Sequence, residues 1–487
     1  MLTSLFNSKH AEEKIFTLSP DQVEALFLAK QKDLQLPESE EQRLRFIKVC
    51  SSQCLQGRIL FCEMQLQVNF AAVVNGIFLE NPQQRITHLN LSRNSLGDQG
   101  AILVTQAVKH STAIVYLNIA SNEIGPNGMQ FVFDELVYNE SLAQMDIGTD
   151  DGFNRNRVSP RNYAAVRKFV FTNKFVSIYG LKGIALDGEG FAAILRCLEE
   201  VSARHQALLE EVAETKDDDI AQLEKDYTRP GGDNTALEYV LKARRKYQKE
   251  PELPDVERLP VQSLDVSFND ILLTMRHHHP LFSRALVYSD VRELDLSYNK
   301  LGDEGIKVVA GALSVRSRLQ RLNLTCCDFR LETTGGYQLL SALSKNHSLL
   351  HITLDRNNLF GQRPTIFKDL FTANQSLQSM SMNHCKIGRM GSLFIADGLG
   401  RSKSLVSLAL GHNDIMDYGG EKIARAFNDR EVNLEHLNLA GNNLTDKSGA
   451  ALAQAMLGNQ TLRSIDLRSN DLTTQTATLL QPVLLRN

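Results

Sequence analysis

Three stretches of this sequence carry residue types that could do chemistry. His277-His278-His279, just before Pro280, offers three imidazoles, the side chains most used to bind metals. Cys50 and Cys54 stand at i and i+4, which would put two thiols on one face of a helix. Gly398-Leu-Gly-Arg-Ser-Lys403-Ser404 holds the glycines, lysine and serine of a phosphate-cradling loop. None meets the full requirement of its chemistry. Adjacent histidines rarely converge on one ion and no cysteine or carboxylate cluster flanks them, so the run reads as a loop excursion after Ile271. The two cysteines have no second pair at zinc spacing and read as core. The glycine stretch lacks the G-x-x-x-x-G-K-[ST] spacing and follows a helical pattern, whereas a phosphate loop follows a strand and opens a helix. It matches the helix-end turn at Ser344–Ser348 instead. Neither G-x-S-x-G nor H-E-x-x-H is present. The expectation is no enzyme, with no catalytic, cofactor or metal site and no cofactor.

The elements that would position any functional group are set by one short pattern. Val291 to Gly305 reads VRELDLSYNKLGDEG, with a ladder of Val291, Leu294, Leu296, Asn299 and Leu301. Leu294 and Leu296 alternate inward on a strand, so Glu293, Asp295 and Ser297 face out. Asn299 stands where the chain leaves the strand, where its amide can satisfy turn backbone groups that no ladder partner reaches. One copy cannot bury its own apolar face, so the pattern predicts neighbours. The same position recurs as Asn94, Asn122, Asp150, Ile184, Asn269, Asn299, Cys327, Asn357, Cys385, Asn413, Asn442 and Asn470. Nine of the eleven steps between them are 28 to 30 residues long. Stretches apolar at i, i+3 and i+4, such as EGIKVVAGAL and SGAALAQAML, fill the intervals and predict helices.

The 28–29-residue period and the L-G-D-x-G turns at Leu96–Gly100 and Leu301–Gly305 resemble ribonuclease-inhibitor-type leucine-rich repeats, from residue 86 to residue 487. The resemblance implies an α/β fold: a right-handed β-α superhelix, or horseshoe, with a parallel inner sheet and outer helices. About twelve repeats are expected, with a helical N-terminal cap and an inserted helical hairpin.

Four regions follow. Residues 1–85 form a helical N-terminal region ending in a degenerate capping repeat at 56–85. Ser19 caps a helix that opens at Pro20, and a second helix follows over 38–54. Residues 86–197 hold repeats 1–4, in which the stretch after Asp150 lengthens one turn and Ile184 stands in for an asparagine. Residues 198–260 are an insertion. Its first half carries a coiled-coil-like seam and turns acidic, the chain breaks at Arg229-Pro-Gly-Gly232, and a basic stretch with Lys242, Arg244, Arg245 and Lys246 follows. An antiparallel charged hairpin is the reading, either a solvated spur or a docking arm. Residues 261–487 hold repeats 5–12, ending in a helix with exposed leucines.

A net charge of −4 gives no basic field for nucleic acid or an anionic membrane. No window approaches 18 uncharged apolar residues, and the N-terminal stretch lacks the charge and apolar run of a secretory signal. Seven scattered cysteines suit a reduced, cytoplasmic setting. The expected partners are other proteins, with no nucleic acid, no membrane and no small-molecule substrate. The strand residues between the ladder leucines make a long polar strip. Asp265, Glu293, Asp295, Arg321 and Asp355 lie on it, and Phe268 and Tyr298 stand at the exits of adjacent strands as aromatic anchors.

The reading is therefore a protein-protein interaction scaffold or adaptor. The resemblance implies an assembly role such as a structural subunit of a ciliary or flagellar axoneme, within the cytoskeleton, as in the dynein regulatory complex. Alternatives are a GTPase-activating protein of the Ran type or a cytosolic inhibitor or regulator of a signalling protein. A Ran-type activator is expected to carry a strongly acidic tail, whereas this sequence closes on Leu-Leu-Arg-Asn. A ribonuclease inhibitor proper is expected to be far richer in cysteine, and a nucleotide-binding innate sensor needs an NTPase module.

Overall fold

The computed structural model describes residues 19–33, 35, 39–53, 58–62, 71, 86–149, 154–200, 259–275, 277–287, 289–315, 317–427 and 432–484. Its strands are short, three residues each: β1 Arg58–Leu60, β2 His88–Asn90, β3 Tyr116–Asn118, β4 Gln144–Asp146, β5 Ile178–Gly180, β6 Ser263–Asp265 and β7 Glu293–Asp295. They continue as β8 Arg321–Asn323, β9 His351–Thr353, β10 Ser379–Ser381, β11 Ser407–Ala409, β12 His436–Asn438 and β13 Ser464–Asp466. All thirteen join one sheet in chain order, every neighbouring pair parallel. Leu294 lies opposite Leu264 on one side and Leu322 on the other, and Leu322 opposite Ile352, so the ladder leucines occupy successive rungs.

Helices connect the strands on one side of the sheet. Those at Gly302–Leu313, Thr334–Lys345, Thr365–Ala373, Gly388–Leu399, Met416–Ala426 and Asp446–Gly458 each turn an apolar face inward. Their buried residues and the ladder residues form one continuous core from Val23 to Leu462. Burial of that core is the main driving force, and it is available only because each repeat is covered by the next. Among the described residues, no helix is long and apolar enough to cross a membrane.

The asparagine ladder works as the sequence implies. Asn299 donates its amide N–H groups to the Val266 carbonyl of the previous rung at 3.0 Å and to its own Leu296 at 2.9 Å, while its oxygen accepts from Ile271 N–H at 3.1 Å. Cys327 and Cys385 keep the donor half, each thiol reaching a carbonyl of the previous rung, Leu296 and Leu354, at 3.3 and 3.2 Å. Burial pushes the Cys385 thiol up to about 12, so it stays protonated and unreactive.

The position predicted at Asp150 is corrected. Asn156 takes the ladder place: it donates to Ile119 and Ile147 carbonyls at 2.9 Å and accepts from Asn122 N–H at 3.0 Å. The step from Asn122 is therefore 34 residues, and the next, to Ile184, returns to the regular spacing. The six extra residues are spent inside the turn, ahead of the ladder amide, because the amide must meet the previous rung's carbonyls whatever the loop length. Val176, Tyr179, Leu181, Ile184 and Leu186 are all buried, and β5 pairs in register with β4 and β6.

Two further amide and carboxylate ladders run through the stack. Where helices end, Asn139, Asn173, Asn346 and Asn374 reach back to carbonyls of the previous repeat and accept two backbone N–H groups ahead, as in the Asn374 bonds to Leu343, Ser376 and Leu377. Where helices begin, Asp98, Asp303, Asp417 and Asp446 accept a backbone N–H of the next repeat, at Gly125, Gly335, Thr445 and Thr473. These are helix-start caps supplied from the neighbouring repeat.

The N-terminal helices lie at Pro20–Asp33 and Glu40–Gln53, with Ser19 and Gln22 exchanging side-chain-to-backbone bonds as a capping box. β1 falls in the stretch read as a capping repeat and pairs with β2. Cys50 is buried, while Cys54 lies outside the described residues. So do most of the insertion and Lys242, Arg244, Arg245 and Lys246. The histidine run is not a loop excursion, because a helix begins at His278 and runs to Val287, and the His278 side chain is buried. Gly398 to Ser404 closes the helix Gly388–Leu399 and precedes a strand, the reverse of a phosphate loop.

Candidate protein-binding surface

The face of the sheet away from the helices is polar, as the alternation dictates, and much of its polarity is structural. On eight rungs the last residue of the strand is Asn or Asp, and its oxygen accepts the backbone N–H two residues on. Asn90, Asn118, Asp146, Asp265, Asp295, Asn323, Asn438 and Asp466 do so at 2.8–3.1 Å. The carboxylates on this strip are thus set partly by the demands of the strand exit, where a short side chain must close the turn.

Six of the predicted site residues cluster over β6 to β8. Burial raises the Asp265 carboxyl above the usual range, against the hydrogen bonds from Ser267, and Asp295 beside it adds to the rise. Asp295 accepts from Ser297 N–H at 2.8 Å and from the Asn323 amide at 2.8 Å. Glu293 and Arg321 face each other as an ion pair across adjacent strands. Phe268 and Tyr298 complete the group at the exits of β6 and β7. Asp355 lies apart, beyond β9, where it accepts from the Ser381 hydroxyl at 2.6 Å and from Asn383 N–H at 2.8 Å. It braces the next rung rather than facing outward alone.

The residue just before the ladder position has positive φ on eleven rungs. Arg93, Ser121, Gly183, Phe268, Tyr298, Cys326, Arg356, His384, His412, Gly441 and Ser469 lie between 53° and 65°. At Phe268, Tyr298, His384 and His412 this left-handed turn carries the side chain to the rim of the sheet, where rings of adjacent rungs meet. Phe268 and Tyr298 stack there, and Lys182 Nζ stands 5.0 Å from the Phe268 ring centre. His384 and His412 stack in the same way, centroids 4.3 Å apart and planes 5° from parallel. Of this ridge, Phe268 and Tyr298 were legible from the sequence, as residues at the exits of adjacent strands. Its stacking follows from the backbone.

Glu189 is the contact the sequence reading missed. It lies against His277 and His278 from 88 residues away, supplying the carboxylate that no sequence neighbour provides.

A family model described as leucine-rich repeat matches residues 84–104, 110–133, 289–310, 401–424, 432–453 and 458–475. The human NACHT, LRR and PYD domains-containing protein 14 is 34% identical over 177 residues, 36% of this chain and 16% of that protein. The mouse ribonuclease inhibitor is 29% identical over 181 residues, 37% of this chain and 39% of the inhibitor. The chain thus spans well under half the length of these curated relatives. Among solved structures, an internalin from Listeria monocytogenes overlays with a TM-score of 0.40 and 13% identity, over 94% of this chain and 98% of that one. The repeat ladder, its period and the family-model match make this a chain of leucine-rich repeats, similar in sequence to those of the ribonuclease inhibitor.

Proposed function

We propose that the chain is a non-catalytic scaffold that binds another protein along the rim and open face of β6 to β8. The carrying observation is the Phe268–Tyr298 pair, 42% and 37% exposed and set beside Asp265, Asp295 and the Glu293–Arg321 pair. Large aromatics held rigid at a polar surface lose little entropy on binding and are the residues on which interfaces concentrate affinity. The relatives support the same reading, since one of them is named an inhibitor of ribonuclease, a protein. The partner surface we propose is apolar at its centre and basic around it, complementing the two aromatics and the carboxylates. The setting we favour is an axonemal or other cytoskeletal assembly in the cytoplasm, with the 198–260 insertion as a second docking element through Lys242, Arg244, Arg245 and Lys246.

The test is affinity purification from the source cell with mass spectrometry, comparing the natural chain with a Phe268→Ala/Tyr298→Ala variant. Recovery of axonemal proteins by the first and their loss with the second is the expected result. Equal recovery by both would move the binding surface elsewhere. Acceleration of GTP hydrolysis by Ran on addition of the purified chain would replace this reading with that of a Ran-type activator.

A further inference from the structure

The start of the helix over 188–200 and the turn ahead of the helix His278–Val287 are pressed together at a glycine. A Cβ on Gly188 would stand 2.3 Å from the Leu272 carbonyl oxygen and 3.3 Å from Cε1 of His278. Only a residue without a side chain permits this approach. It sets Glu189 against two imidazoles, with Oε1 lying 3.1 Å from His277 Nε2 and 3.5 Å from His278 Nε2. The three donor atoms all fall within 4.8 Å of one another, and the two rings meet edge to face with centroids 4.5 Å apart. Arg196 bonds the other carboxylate oxygen at 3.2 Å, which turns Oε1 toward the rings. His278 is buried, 1% exposed, and its Nε2 meets no hydrogen-bond partner.

We infer that Glu189, His277 and His278 are a binding site for a divalent ion of zinc's class, held through Oε1 of the carboxylate and Nε2 of each imidazole. Water completes the shell. Two imidazoles and one carboxylate are a recurrent zinc ligand set. Metal–ligand bonds of about 2.0–2.1 Å in a tetrahedral shell place donor atoms about 3.3 Å apart, and the two carboxylate–imidazole distances bracket that edge. Arg196 acts as the outer partner that orients a ligating carboxylate.

Coordination requires one rearrangement. Met275 N–H donates to His278 Nδ1 at 3.3 Å, so the ring proton sits on Nε2. When Nε2 gives its lone pair to the ion, that proton moves to Nδ1 and the Met275 amide must turn away. The helix over 188–200 runs directly into the stretch that begins at residue 201. An ion here would clamp the root of that insertion to the helix His278–Val287, beside the Glu199–Arg284 ion pair at 2.5 Å.

The test uses the full chain, stripped with a chelator and titrated with zinc alone in a calorimeter. One saturable site is expected. His277→Ala and Glu189→Gln should each weaken it by at least about tenfold. Both side chains are about half exposed, at 49% and 47%, so both variants should keep the parent melting transition. Cobalt(II) should give the visible absorption of a four-coordinate ion in the natural chain and not in either variant. Backbone exchange over 272–275 should change on loading. Absence of saturable binding, or variants that bind zinc as tightly as the natural chain, would overturn the inference.

Discussion

Phe268 and Tyr298 stack face to face with ring centroids 4.0 Å apart and planes 14° from parallel, although each stands in left-handed backbone at φ 55° and 56°. Bulky residues in that conformation carry about 1 kcal/mol of strain each, and the stack returns about 0.5–1.5 kcal/mol. Phe268→Gly relieves the strain while removing the ring. Its melting temperature should stay close to that of the parent, whereas affinity for the protein partner should fall at least about tenfold. Thermal unfolding and calorimetric titration with the recovered partner separate the two effects, and a large loss of stability would show that the pair is structural alone.

The ladder amides should dominate the stability of individual repeats. Asn299→Ala leaves the Ile271 N–H without its acceptor in a buried site and takes one donor each from the Val266 and Leu296 carbonyls, which keep the Asn269 amide and the Cys327 thiol. A loss of about 1–3 kcal/mol is expected in chemical denaturation. Asn299→Cys keeps the donor, as Cys327 and Cys385 do, and should cost about half as much. Equal losses for the two would mean that the acceptor half carries the bond.

Acid should loosen the stack through its helix-start carboxylates. Hydrogen bonds from Thr473, then Thr476, hold the Asp446 carboxyl at about 2. Asp303 and Asp417 are lowered too: burial opposes the shift and is outweighed by bonds from Thr333 and Gly335, and from Thr445 and Ser448. A carboxyl with a depressed folded-state pKa stabilises fully above its unfolded value of about 4 and loses that contribution as pH falls toward about 2. Melting temperature should therefore drop across this window, with a shallower drop in Asp446→Asn. An unchanged slope in the variant would remove Asp446 from the account.

Gly188→Ala forces the helix over 188–200 away from the Leu272 carbonyl. Overpacking of this kind costs about 1–3 kcal/mol, which equilibrium unfolding would register. A neutral substitution would show that the two segments part without penalty.

Replacing residues 201–258 by a short Gly-Ser bridge should leave one cooperative melting transition. β5 and β6 already pair in register, and repeats draw their stability from nearest neighbours. Broad or lost melting would place the insertion within the core.

The repeat register was legible in the sequence because a period-two strand followed by a helical apolar period leaves one way to bury the leucines. Leu294, Leu322 and Ile352 could be placed on successive rungs from spacing alone, as could Phe268 and Tyr298 at the exits of adjacent strands. The sequence also marked β5, despite Ile184, because Tyr179 and Leu181 kept the alternation.

Contacts that depend on backbone conformation or on distant partners were decided only by the tertiary structure. Asn156 replaced Asp150 because an amide is chosen by its reach to the previous rung, which a count of residues through a lengthened turn does not measure. The Phe268–Tyr298 stack required two left-handed residues 30 positions apart to project in the same direction. Glu189 met His277 and His278 because stacking brings one repeat's helix start against the next repeat's turn, across 88 residues and a long insertion that carry no trace of the meeting. The apolar pattern fixes which rungs neighbour one another, and the packed backbone fixes which side chains then touch.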